Sequence, residues 1–197
     1  MNDDLKALRK KVKKALDKER WEHTKGVTYT AAALAMAHGV NIEDAMTAGL
    51  LHDCAKCIPN EKKLSLCKEY KLRLKEVEKK NPSLIHAKLG AFLAKEKYGI
   101  TKKSILSAIA CHTTGAPKMS RLDKIIFIAD YIEPDRVEAP NLMAVRRLAF
   151  RDLDRCMYRI LSDTLTYLKG TDREIDPVTK QTFQVYKSLV DGEKHGA

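Results

Sequence analysis

The chain has 197 residues, with 37 Lys+Arg against 26 Asp+Glu for a formal net charge of +11, and 44% of its residues are hydrophobic. That apolar fraction excludes global disorder, the length suits a single domain, and no run approaches the roughly 18–20 uncharged apolar residues of a membrane span. The positive charge calls for an anionic partner without choosing between nucleic acid and a small polyphosphate.

The elements read almost wholly as helix. Residues 4–19 place Leu5, Leu8, Val12, Ala15 and Leu16 on one stripe. The Lys-rich opposite side reads as a solvated face. A second helix is expected over 27–37, stopping near Gly39. A third starts at Ile42-Glu43-Asp44 and runs through Ala45–Leu51 to His52-Asp53. Pro59 terminates the short segment after Asp53. Lys62–Lys80 is charged, as one exposed helix or two short ones. Residues 83–98 form the next helix, closed by Gly99, and 101–111 another, with Thr101 as its N-cap. Ser120-Arg-Leu-Asp123 is a capping box with Asp in place of Glu, and it launches 121–132, which Pro134 terminates. Residues 141–169 are helical with a break near 150, ending at Gly170, and 171–197 are a tail of uncertain form. Arg146, Arg147, Arg151 and Arg155 stand at helical spacing and are expected to pair with Asp152 and Asp154.

The chemistry concentrates in four of six histidines. His23, His52, His86 and His112 stand 29, 34 and 26 residues apart, each at or near an expected helix end. Asp53 follows an apolar run, and Asp130 interrupts Ile125-Ile126-Phe127-Ile128-Ala129. A carboxylate is expensive to bury there unless it is paired or metal-bound. Four imidazoles and two carboxylates can fill the coordination shells of two metal ions. Mixed nitrogen and oxygen donors suit iron or manganese better than a structural zinc. Cys54-Ala55-Lys56-Cys57 is a literal C-x-x-C, but it lacks both a thioredoxin-like strand and a second zinc pair, so the two thiols read as incidental. The five cysteines are an odd, scattered set that fits a reduced compartment. The acidic start, Met1-Asn2-Asp3-Asp4, is unlike a secretory signal, so a cytoplasmic location is expected.

The order His23 … His52-Asp53 … Asp130 resembles the HD-domain metal-dependent phosphohydrolases. The match narrows with Arg20-x-x-His23-x-x-Gly26-Val27, Ala48-Gly49-Leu50-Leu51-His52-Asp53-x-Ala55-Lys56, His86-Ala87-x-x-Gly90-Ala91, His112-Thr113-Thr114-Gly115, Met119-Ser120 and Ala129-Asp130-Tyr131-Ile132-Glu133-Pro134-x-Arg136. Together these blocks resemble the YqeK family. The resemblance implies an all-α HD-domain helical bundle. It implies symmetrical hydrolysis of diadenosine tetraphosphate to two ADP by a hydroxide bridging two metals, most simply iron. It also implies that His23, His52, Asp53 and Asp130 hold one ion, and that His86, His112 and a bridging Asp53 hold the other. One domain would then cover 1–197, with its core at about 18–136, helices at 141–170 and a tail at 171–197. The tail departs from the family: Asp176-Pro177-Val178-Thr179 stands where a His-Pro-x-Thr stretch is usual.

Phosphate charge needs fixed cations. Lys56 shares a helical face with His52 and Asp53 if the helix continues that far. Arg136, just past Asp130's helix, suits bidentate phosphate contact. The expected catalytic residues are therefore Asp53, Lys56 and Arg136. Thr113, Thr114, Gly115, Arg20 and Lys124 join Lys56 and Arg136 as substrate contacts. An exposed apolar helix could mediate a homodimer, though no heptad pattern persists. Two other functions compete. One is a phosphohydrolase of another nucleotide, a deoxynucleoside triphosphate or a guanosine alarmone. Alarmone hydrolases usually carry a Glu-Asp pair soon after HD, where Ala55-Lys56-Cys57 stands here, and the Gly-Tyr-Pro of cyclic dinucleotide phosphodiesterases is absent. The other is a basic RNA-binding protein with a vestigial site, which predicts lost ligands; all six are present.

Overall fold

The computed structural model describes residues 3–171 and 174–194. Among them are eleven α-helices, one 3-10 turn (Pro82–Leu84) and no strand. The helices are α1 (Asp3–Lys13), α2 (Lys18–Ala37), α3 (Ile42–Leu51), α4 (Asn60–Glu69), α5 (Glu76–Lys80), α6 (Ile85–Glu96), α7 (Lys103–Cys111), α8 (Arg121–Ile132), α9 (Leu142–Ala149), α10 (Leu153–Lys169) and α11 (Pro177–Lys194). This is the expected all-α bundle, with no helix among the described residues long and apolar enough to cross a membrane.

Short polar side chains set the helix starts. Asp17 caps α2 by accepting from the Arg20 amide at 2.7 Å, Asn41 caps α3 through the Asp44 amide at 2.9 Å, and Asp152 caps α10 from two amides. The capping box at α8 is reciprocal: the Ser120 amide donates to Asp123 Oδ2 at 2.7 Å and the Asp123 amide to Ser120 Oγ at 3.2 Å. Several expected boundaries move. The Asp17 cap starts α2 at Lys18 rather than near Val27, so His23 stands well inside that helix. Likewise α1 stops at Lys13, because the chain must turn to let Asp17 cap. Lys102, without a capping side chain, precedes α7, and Thr101 is not its cap. The break near 150 separates α9 from α10, and the tail forms α11. His195, read as part of that tail, lies outside the described residues.

The core joins α2, α3, α7, α8 and α10. Leu34, Leu51, Ile109, Ile125, Ile126, Ile128, Met157, Ile160 and Leu161 are buried in it, each contributing about 1.5–3 kcal/mol of transfer free energy. Trp21 and Phe127 also pack into it, as does Tyr186 from α11. A smaller cluster of Ala55, Cys67, Ile85 and Leu89 seats α4 on α6. At Gly49 a Cβ would stand 3.1 Å from Thr28 Cα. Helices α2 and α3 therefore meet almost backbone to backbone, which brings His23 and His52 within reach of one another.

Candidate metal centre

Six side chains from five helices converge at one end of this core. His23 comes from α2, His52 and Asp53 from the turn that ends α3, His86 from the first turn of α6, His112 from the residue after α7, and Asp130 from the last turn of α8. Except for His23 and Asp130, all are fully or almost fully buried. The Asp53 carboxylate stands between two groups. Its Oδ2 faces His52 Nε2 at 3.5 Å and His23 Nε2 at 3.9 Å, while Oδ1 faces His86 Nε2 at 3.2 Å and His112 Nε2 at 3.6 Å. Within the first group His23 Nε2 lies 3.3 Å from His52 Nε2 and 3.1 Å from Asp130 Oδ1. Within the second, His86 and His112 bring their Nε2 atoms to 3.1 Å.

Backbone carbonyls decide which nitrogens face inward with lone pairs. His52 Nδ1 donates to Gly49 O at 2.7 Å, His86 Nδ1 to Ser83 O at 2.6 Å and His112 Nδ1 to Ile109 O at 2.7 Å. A carbonyl can only accept, so each neutral ring carries its proton at Nδ1 and presents a bare Nε2. Bare nitrogens and carboxylate oxygens about 3 Å apart repel unless a cation lies between them. Two donors on one transition-metal ion, each about 2.0–2.2 Å away, are separated by about 3 Å when they subtend roughly a right angle. Asp53 Oδ1 is moreover buried without any hydrogen-bond donor. The donor set fits two metal ions sharing Asp53.

Ionisation agrees with that use. Burial opposes charge on Asp53, yet attraction to His52, His112 and His86, which acts when a ring turns a proton toward the carboxylate, outweighs it and holds the carboxyl well below the usual carboxylate range in the metal-free protein. Asp130 is also lowered, because contact with His23 and the nearby His52 and His112 overcome its desolvation. Burial is the main reason His86 drops to about 4, despite its contact with Asp53, so this ring is neutral near pH 7.

Basic and hydroxyl groups surround the cluster. Arg20 Nη1 donates to Asp53 Oδ2 at 2.8 Å. Lys56 Nζ rests 3.5 Å from His86 Nε2. It arrives there although residues 52–57 form turns rather than a continued α3, with the Lys56 amide bonded three residues back to Asp53 O. Thr113 Oγ1 lies 3.1 Å from the Nε2 atoms of both His86 and His112. Arg136 Nη2 donates to Asp130 O at 2.9 Å, and its Nε–H is buried without a partner. An open cleft of about 680 Å³ lined by Lys18, Arg20, His23 and Arg136 reaches the His23 side. A smaller cavity of about 190 Å³, lined by Thr113, Thr114 and Gly115, adjoins the His112 side. Thr114 itself bonds to the Gly115 carbonyl. Lys124 does not join them, because its ammonium is tied to Asp154 Oδ1 on α10 at 2.5 Å.

Other expectations resolve locally. A groove of about 830 Å³ runs between α1 and the start of α2, away from the six clustered side chains. Its Lys6 pairs with Asp3, Lys25 with Glu22, and Arg9 bonds Tyr29 and covers Trp21, as a solvated basic face does. Cys54 is buried and pushed up to about 12 by desolvation, while Cys57 is exposed and both are free thiols. Arg155 pairs with Asp152 as expected. Arg146 instead donates to the carbonyls of Ile132, Glu133 and Arg136, pinning the loop after α8. Two residues escape a reading of the sequence. Glu133 accepts at Oε1 from His23 Nδ1 at 3.2 Å. Lys63 is buried, and desolvation and the charge of Lys56 lower its pKa. Neither has a signal beyond lying in a quoted motif or a Lys-rich segment.

The HD-domain family model matches residues 20–135. Curated relatives named symmetrical bis(5'-nucleosyl)-tetraphosphatase are similar over most of the chain. That of Bacillus subtilis is 37% identical across 92% of this chain and 95% of its own length. That of Halalkalibacterium halodurans is 39% identical across 87% and 91%. A crystal structure from Clostridium acetobutylicum, described as a predicted HD superfamily hydrolase involved in NAD metabolism, superposes with a TM-score of 0.89 at 34% identity, covering 93% of this chain and 97% of that one.

Proposed function

This chain belongs to the HD-domain family, and on that premise we propose that it hydrolyses diadenosine tetraphosphate symmetrically, giving two ADP. The observation that carries the reading is the Asp53 carboxylate, with one oxygen toward His23 and His52 and the other toward His86 and His112. In this reading His23, His52, Asp130 and Asp53 hold one ion, and His86, His112 and Asp53 hold the second. Iron suits these donors, with manganese as the alternative. Bound there, the two ions supply Lewis-acid activation of water and of phosphate oxygens.

The chain's own groups do the rest. Arg20 holds the shared carboxylate in its orientation. The Lys56 ammonium balances negative charge that develops on the phosphates beside His86. Arg136 offers its unpartnered Nε–H to a phosphate oxygen, and Thr113 offers a hydroxyl on the opposite side. A substrate cut at its middle needs room on both sides of the centre. The Arg20–Arg136 cleft and the cavity at Thr113–Gly115 flank it accordingly. The net charge of +11 favours approach of a polyanion. The same reading places the enzyme in the cytoplasm, where its free cysteines stay reduced, as one domain acting on a small molecule rather than on RNA.

The deciding experiment is chromatography of the products formed from diadenosine tetraphosphate by iron- or manganese-loaded protein. ADP as sole product is expected. ATP plus AMP would keep the hydrolase and overturn the point of attack. No turnover with either metal would overturn the substrate.

A further inference from the structure

We propose that Glu133 is a positioning residue for the metal centre, fixing the tautomer and donor strength of His23. The inference rests on the two-ion reading above and concerns a residue outside its ligand set. Three of the four imidazoles direct Nδ1 at the carbonyl three residues back: His52 at Gly49, His86 at Ser83 and His112 at Ile109. Those rings sit where helices begin or end. His23 lies inside α2, where the carbonyls of the preceding turn belong to the helical ladder. Its Nδ1 turns instead to Glu133 Oε1 at 3.2 Å.

Glu133 is held for this contact from three directions. It is the first residue after α8 and 3% exposed, just beyond Asp130. Its Oε2 accepts from the Asp135 amide at 2.8 Å. Arg146 donates to the carbonyls of Ile132 and Pro134 on either side of it and to its own. The third direction is α2 itself. At Gly26, three residues after His23, a Cβ would stand 2.5 Å from Glu133 Oε2. Gly26 lies within regular helix, so the glycine is there for the space the carboxylate needs. An ionised carboxylate only accepts hydrogen bonds, so the proton of His23 stays on Nδ1 and Nε2 keeps its lone pair toward Asp130 and Asp53. A carboxylate behind a ligating imidazole also raises its basicity, and removing such a partner commonly weakens metal binding about 10–100-fold. At Nδ1 the His86–His112 pair has only carbonyl partners. The two ion sites are therefore supported unequally, and only the one containing His23 depends on Glu133.

Glu133→Gln and, separately, Gly26→Ala test this. Metal-free protein is titrated with manganese(II) and the free ion is read by electron paramagnetic resonance. Wild type is expected to take two equivalents. Each variant should keep one site unchanged and bind the other about 10–100-fold more weakly. The double variant should be no worse than Glu133→Gln alone, because both changes act through one carboxylate. The melting temperature of the metal-free variants is measured alongside. Two unperturbed sites in Glu133→Gln would overturn the role of Glu133 and leave the two-ion reading standing. Equal weakening of both sites with a lowered metal-free melting temperature would overturn it too, marking Glu133 as a general structural prop. A wild type that binds neither manganese(II) nor, in an anaerobic repeat, iron(II) would overturn this inference and the two-ion reading together.

Discussion

Gly115→Ala probes how α11 supports the catalytic end of the bundle. Gly115 has φ +69°, and its amide closes the end of α7 by donating to Cys111 O at 2.8 Å. A Cβ there would lie 2.8 Å from Thr182 Cγ2 and 3.3 Å from Thr182 Oγ1, on a buried side chain of α11. The substitution carries two separable costs. Left-handed backbone costs a non-glycine residue about 1–2 kcal/mol, less about 0.4–1 kcal/mol recovered because alanine restricts the unfolded chain. Forcing a methyl against Thr182 adds about 1–3 kcal/mol of overpacking. The sum is a destabilisation of about 1–5 kcal/mol, measured by urea unfolding. Thr182→Ser removes the closest atom. That variant alone should lose about 0.8 kcal/mol for its buried methyl, while combined with Gly115→Ala it should recover most of the overpacking. A double-mutant cycle should therefore give a favourable coupling of about 1–3 kcal/mol. Additive losses would refute the steric part. A Gly115→Ala loss below about 0.5 kcal/mol would refute both parts.

Lys56→Ala should lower turnover while leaving the bound-metal content at the wild-type level, read by elemental analysis; metal loss in this variant would assign Lys56 to holding the centre instead. Asp53→Ala should abolish turnover and metal retention with helical circular dichroism largely unchanged, and retained activity would sink the shared-carboxylate assignment. In metal-free protein, unfolded His86 takes up its proton near 6.5 but the folded ring holds out to about 4. Between those values the unfolded state binds more protons, so stability falls as pH drops through this window, by about 3 kcal/mol in full. Asp53 and Asp130, both depressed, extend the loss in the same direction at lower pH. A urea midpoint that stays level from pH 7 to pH 4.5 would contradict the burial of His86.

The cluster of candidate metal ligands is legible in the sequence because burial makes its acids conspicuous. An aspartate directly after Ile125–Ala129 and another after Ala48–Leu51 have no cheap apolar explanation, and His52, His86 and His112 stand at helix ends as expected, whereas His23 lies inside α2. The capping box at Ser120 and the break near 150 are equally local. Helical spacing puts Lys56 beside His52 and Asp53, and it does reach His86, but through tight turns that the spacing argument does not anticipate. The expectations that fail depend on partners far along the chain. Lys124 looks like a free cation until α10 brings Asp154 to it. Arg146 reads as a partner for Asp152 or Asp154 until the loop after α8 turns its carbonyls toward it.

Short-range information was enough to specify an all-helical chain and to mark the acids whose burial is costly, since periodicity, capping and the cost of buried charge act over a few residues, while the family was legible only as a resemblance of motifs spread over residues 20–136. It took the packed fold to establish that the two oxygens of Asp53 face different histidine pairs, that Glu133 stands behind His23 in space left by Gly26, and that Arg20 is committed to Asp53. The Arg20–Asp53 and His23–Glu133 contacts join positions 33 and 110 residues apart, and the geometry of the whole set exists only once α2, α3, α6, α7 and α8 have packed around one core.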